Sequence, residues 1–216
     1  VARGELDDVS AEALLVQARK LDPNNPSVVR AMVRLYQSQS PEKAERYLDS
    51  LPPKAQQEFQ DVRRGLELNR LDAQADDATR RSDWVQVTAA LSKSLVLDPD
   101  SPWRVYRLAN AQRELGLNAE ADHSFRVLLQ RQGQNTEARY AHGLFLARGE
   151  RDDDAMRTLQ QIPRAAWSDN MNELWARLQR RQLLAKARTL RDSGHEAEAE
   201  ALLLRAPTTD DYLTLA

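Results

Sequence analysis

The sequence predicts an all-α fold, and three observations carry that reading. Ala and Leu, which cost least in a helix, number 30 and 31 among 216 residues, against 12 Val, 1 Ile and 8 Thr; strand interiors draw on β-branched and aromatic residues instead. Only 7 Gly are present, too few for a fold built on hairpins or phosphate loops. Apolar residues such as Ala55, Phe59, Val62 and Leu66 lie three to four apart, the spacing of an amphipathic helix. Charged residues make up 30% and mean hydropathy is -0.68, so much of every helix must face water.

The helices are organised by an internal repeat. Its frame is clearest over residues 102–135, where Leu108, Ala109, Gly116, Ala121, Phe125 and Leu128 take the places of a 34-residue helix–turn–helix unit. Small Ala109 and Ala121 let two helices approach closely, and Phe125 fills the gap between neighbouring pairs. From the N-terminus, residues 1–25 form a partial unit, with Ala11, Leu15 and Ala18 in a second helix that stops near Pro23. Residues 26–53 carry Val29, Val33, Tyr36, Ala44, Leu48 and Leu51, one residue short in the turn. Residues 54–101 carry Leu71, Ala75, Ala78, Trp84, Val87 and Leu91 behind an extended first helix, ending at Leu97-Asp98-Pro99. The frame returns over 136–163 with Tyr140, Gly143, Leu146, Ala155, Leu159 and Ile162. It returns again over 164–207, also with an extended first helix, in Leu183, Ala187, Leu190, Gly194, Ala199 and Leu203. Residues 208–216 resemble the opening of a further unit. This is the tetratricopeptide pattern, which predicts one array wound as a right-handed superhelical solenoid. The chain starts at Val1 with neither an initiator Met nor a signal-like apolar region, and reads as an excised segment.

Two stretches break the beat. After Leu51-Pro52 and after Ile162-Pro163 comes extra amphipathic sequence with no proline inside it, ready to run into the next first helix. Two long helices are therefore expected, near Lys54–Arg81 and Asn170–Ser193. Gly65, costly inside a helix, is expected to bend the first of them.

Composition and motifs exclude several function classes. A formal net charge of -2 gives no nucleic-acid footprint and no polybasic membrane patch, and no apolar run reaches the roughly 18 residues of a membrane span. Without cysteine there is no thiolate metal site and no thiol catalysis. The three histidines, His123, His142 and His195, fall in different units, so no metal site is expected and no cofactor is implied. His142, beside Gly143, reads as a packing residue. Asp152-Asp153-Asp154 reads as a cap for the helix that follows, its carboxylates on free backbone N–H groups. Asp76 and Asp77 point about 100° apart on a helix and do not face one cleft. Lacking a nucleophile elbow or a phosphate loop, the chain is not expected to be an enzyme, and no catalytic residue is assigned.

The candidate binding surface lies on the first helices. Trp103 and Tyr106 are one turn apart on the stripe that lines the groove in this architecture, Asn110 and Arg113 continue it, and Tyr140 and Arg148 hold similar places next door. Aromatics among polar neighbours suit a peptide or glycan chain; alternatively, Trp103 packs over the preceding loop. Tyr106 stands where chaperone-binding repeats place a clamp Lys, and Ala141 where they place Asn, which argues against that class. Trp84 fills the turn between repeat helices, and Trp167 and Trp175 are expected to staple the second insert to the unit before it.

Several blocks carry a more specific resemblance: Ser40-Pro41-Glu42-Lys43-Ala44-Glu45, Tyr106-Arg107-Leu108, Tyr140-Ala141-His142-Gly143-Leu144, Ile162-Pro163-Arg164-Ala165-Ala166-Trp167 and Glu196-Ala197-Glu198-Ala199-Glu200-Ala201. In this order, and with both inserts, they resemble the bacterial cellulose synthase operon protein C family. The resemblance implies a periplasmic tetratricopeptide scaffold that precedes an outer-membrane β-barrel in polysaccharide export. It implies as partners the cellulose synthase complex and accessory periplasmic proteins, with β-glucan and peptidoglycan as further candidates, and no catalytic residues in the repeats. The alternative is a peptide-binding adaptor of another pathway sharing only the repeat.

Overall fold

The computed structural model describes the backbone of residues 2–23 and 25–204, and side chains from residue 10 onward within those ranges. The described residues hold helices and turns and no strand, and form an all-α tetratricopeptide-repeat fold. The expected opening of another unit at 208–216 lies outside them. The chain divides into two compact units, residues 1–77 and 78–216.

The first unit contains α1 (Ala2–Leu21), α2 (Pro26–Gln39), α3 (Pro41–Asp49), α4 (Pro53–Glu58) and most of α5 (Gln60–Arg80). Asn25 starts α2, its side chain accepting from the N–H groups of Ser27 and Val28, with Pro26 pre-set at the first helical position. The short turn expected from the sequence is a single residue: Ser40 ends α2 and caps α3, its hydroxyl accepting from Lys43 N–H at 3.1 Å. Val29, Val33, Ala44, Leu48, Phe59 and Leu66 fill the core. The Tyr36 and Tyr47 rings meet edge to face at 5.2 Å. Tyr36 donates its hydroxyl to Glu12 of α1, and burial with that bond raises its pKa to about 12.

One expectation fails here. Residues 54–81 are not one helix: the backbone breaks at Phe59 (φ -108°, ψ 19°) and restarts as α5, which runs straight through Gly65. The break leaves the Phe59 ring only 2% exposed in the core, so apolar burial, rather than glycine flexibility, sets the position of the kink.

The second unit contains α6 (Trp84–Leu97), α7 (Pro102–Glu114), α8 (Asn118–Gln132), α9 (Thr136–Arg148), α10 (Asp152–Gln160), α11 (Asp169–Asp192) and α12 (Glu196–Leu204), with a 3-10 turn at Arg164–Ala166. The second long helix appears where expected, capped by Ser168. Its stapling is direct: Trp167 donates its indole N–H to Ile162 carbonyl, and its ring meets Trp175 edge to face at 5.6 Å beneath the Arg164 guanidinium. One continuous core runs from Val105 through Phe125, Ala141 and Leu159 to Leu178. Met171, Leu174 and Leu178 bury one side of α11, whereas Ala187, about half a rotation away, is buried in the part of α11 that pairs with α12.

The helix pairs turn through a residue in the left-handed region at Ser82, Gly116, Glu150 and Gly194. The first three are spaced by 34 residues; before Gly194 the interval grows to 44, so the extra length lies in α11 and leaves the turn unchanged. Gly143 has a different purpose. A Cβ there would sit 3.2 Å from Leu159 Cδ2, which marks the close approach of α9 and α10. Gly143→Leu is expected to destabilise the second unit by about 1–3 kcal/mol through overpacking. Chemical denaturation checks this, and an unchanged midpoint would contradict it.

Candidate functional site

Pro102 at the start of α7 fixes the helix entry and sends Trp103 and Tyr106 toward α9. Trp103 is 39% exposed, and its partners lie on its own helix and on α9. Its indole N–H donates to Glu137, 34 residues on, at 2.9 Å. Its ring meets Tyr106 and Tyr140 edge to face at 5.9 and 6.0 Å. Trp103 therefore joins its unit to the following one by packing, whereas the alternative the sequence left open beside ligand contact was packing over the preceding loop.

The structure gathers the other candidates unevenly. Tyr106, Asn110 and Arg148 line one small cleft with Trp84. Asn110 donates to the Tyr106 carbonyl at 2.7 Å. Arg113 leaves the group: it donates to Asn110 Oδ1 and to the Phe145 carbonyl, with its guanidinium 5.4 Å from the Phe145 ring centre. That side chain ties α7 to α9 and is committed. Tyr140 is half-buried within the aromatic cluster, and burial raises its pKa against the opposing charge of Arg177.

A larger groove of about 420 Å³ crosses three first helices, with Tyr106 on α7, Arg148 on α9, and Arg177 and Arg181 on α11. Arg181 is bound to Asp152 at 2.7 Å and to the Ala147 carbonyl. Arg148 and Arg177 make no hydrogen bond or ion pair among the described residues, so two guanidinium groups face the groove uncommitted. The sequence reading missed both α11 residues, because it placed the repeat frame from Leu183 and treated residues 170–182 as insert. The signal was present in the 34-residue step from Ala147 to Arg181, which the structure closes with a hydrogen bond.

The acidic run is corrected as well. Arg151, not an Asp, occupies the cap position of α10, and no side chain caps there. Asp154 binds Arg151 and Arg157, and Asp152 binds Arg181, so these first-turn carboxylates are spent on arginines. His142 is largely buried, its ring 4.9 Å from that of Phe125. Burial first, and the nearby Arg151 charge second, lower its pKa to about 4. Among the described residues no His, Asp and Glu cluster could hold a metal, and no helix is long and apolar enough to cross a membrane.

No family model matches the chain. The Escherichia coli (strain K12) cellulose synthase operon protein C is 40% identical over 183 residues, covering 84% of this chain. The Salmonella typhimurium protein of the same name is equally similar, again 40% over 183 residues. The chain spans only 16% of the length of these relatives. Among solved structures, Pseudomonas aeruginosa PilF superposes with a TM-score of 0.41 at 15% identity, over 99% of this chain and 90% of that one. At 40% identity across most of its length, the chain belongs by sequence to the cellulose synthase operon protein C family, as a segment of it.

Proposed function

We propose that this segment is a periplasmic tetratricopeptide scaffold of the cellulose synthesis and secretion machinery, acting by holding protein partners rather than by catalysis. In this reading the longer protein carries the polysaccharide on to an outer-membrane barrel, and the repeats position the synthase complex and accessory proteins. The observation that carries it is the groove across α7, α9 and α11, where Tyr106 offers a half-buried aromatic wall and Arg148 and Arg177 offer two unpaired guanidinium groups. A planar guanidinium binds a carboxylate through paired hydrogen bonds, and the two unpaired arginines outnumber the one Glu150 carboxylate that also lines the groove, so it suits an acidic stretch of a partner protein.

The test is charge reversal in the full-length protein, Arg148→Glu with Arg177→Glu. Both side chains are exposed and unpaired, so the fold should tolerate the change. Co-purification of synthase subunits is expected to fall about tenfold, with cellulose output falling at an unchanged protein level. Wild-type co-purification and output in the double variant would sink the proposal.

A further inference from the structure

Gly65 is unexplained by the fold. It lies inside α5, where glycine costs about 1 kcal/mol relative to Ala. It does not take a left-handed conformation, and a Cβ built on it would meet nothing within 4 Å. Neither a turn nor a close helix contact requires it, in contrast to Gly116 and Gly143. The open space above it belongs to a cleft of about 380 Å³ within the first unit.

The walls of this cleft are two facing stripes. Arg30, Arg34 and Gln37 recur along α2 at i, i+4 and i+7, and Asp61, Gly65 and Asn69 recur along α5 at i, i+4 and i+8. Glu58 closes one end, and Val33, Phe59 and Val62 supply an apolar base. None of the six polar side chains makes a hydrogen bond or ion pair among the described residues; Arg30 only stacks over the Phe59 ring. The two positive charges are matched by two negative ones. The set therefore combines donors (Arg30, Arg34), acceptors (Glu58, Asp61) and amides able to do both (Gln37, Asn69). An acidic peptide would meet Glu58 and Asp61, and a basic one would meet both arginines. A hydroxyl both donates and accepts, so a neutral chain of hydroxyls pairs with every member of the set.

We infer that the cleft between α2 and α5, opened by the missing side chain at Gly65, is a binding site for a neutral oligosaccharide strand. The inference rests on the proposed function only for the choice of a β-1,4-glucan as first probe. It uses none of the groove residues Tyr106, Arg148 and Arg177.

The experiment is an NMR titration of the chain with cellohexaose, following the Gly65 amide and the side-chain amides of Gln37 and Asn69. Saturable shifts at all three are expected. Gly65→Leu fills the cleft while raising helix propensity, so binding should weaken at least about tenfold. Its melting temperature should stay unchanged or rise. Absence of shifts in the wild type with both cellohexaose and maltohexaose would overturn the inference, as would undiminished binding by Gly65→Leu. Displacement of the sugar from these three reporters by oligoglutamate would also overturn it. Binding of maltohexaose with no response to cellohexaose would support a neutral-glycan site while counting against the cellulose reading.

Discussion

Phe125→Ala is expected to destabilise the second unit by about 3–5 kcal/mol, the range for removing a fully buried aromatic ring. Phe125 is 0% exposed and stacks between His142 and Phe145 at 4.9 and 5.1 Å. It sits where the α7–α8 pair meets the α9–α10 pair, so its loss opens the contact between repeats rather than loosening one helix. Such interface terms hold a repeat array together. Urea denaturation followed by circular dichroism checks the size, and a loss under 1 kcal/mol would show that the site can collapse around the deletion. Phe125→Leu, which keeps most of the apolar volume, should recover much of the stability.

The second large effect is on pH. His142 has a folded pKa of about 4 against an ordinary value of 6.5, with burial the main cause and Arg151 adding to it, while Asp122 and Asp154 oppose. The unfolded chain therefore takes up a proton below pH 6.5 that the folded chain refuses. This contribution to stability is intact above about pH 6.5, falls as the pH drops, and is fully lost below about 4. The loss should be about 2 kcal/mol by pH 5, which lies about 1.5 pH units below the unfolded value at about 1.4 kcal/mol per unit. Asp154 is also held below its ordinary value, by its bonds to Arg151 and Arg157, but its contribution disappears at lower pH still. Denaturation midpoints measured from pH 7.5 to 5 should therefore fall in the wild type and stay nearly flat in His142→Leu. Equal slopes in the two proteins would contradict the assignment.

The repeat was legible because its signal is volume at fixed positions: small Ala109, Ala121 and Gly143, large Phe125 and Leu128, every one buried except where a turn intervenes. The second long helix was legible because its sequence is amphipathic and no proline interrupts it; the structure adds the Ser168 cap. The break at Phe59 was not, since Ala55, Phe59, Val62 and Leu66 keep helical spacing whether or not the backbone steps between them. Of the six groove candidates, Tyr106, Asn110 and Arg148 share a cleft, while Trp103 and Arg113 are taken up in contacts between α7 and α9. Their spacing along one helix stripe showed which face they occupy. It could not show which of them the neighbouring repeat had already claimed. The Gly65 cleft was hidden for a related reason: a glycine in a helix reads as weakness until the space above it is seen.

The 24-residue helix α11 has a consequence for how the array comes apart. Its first half belongs to the core that ends at Leu178, and its second half pairs with α12, which has its main packing there. Cooperative unfolding spreads through side-chain contact, and along the middle of α11 that contact thins, beyond the bond from Gln182 to Asp153, to exposed Leu184, Ala185 and Lys186. Within this chain the α12 end is expected to open as a separate foldon while the repeats ahead of Leu178 remain closed, which hydrogen exchange would show as earlier loss of protection in α12.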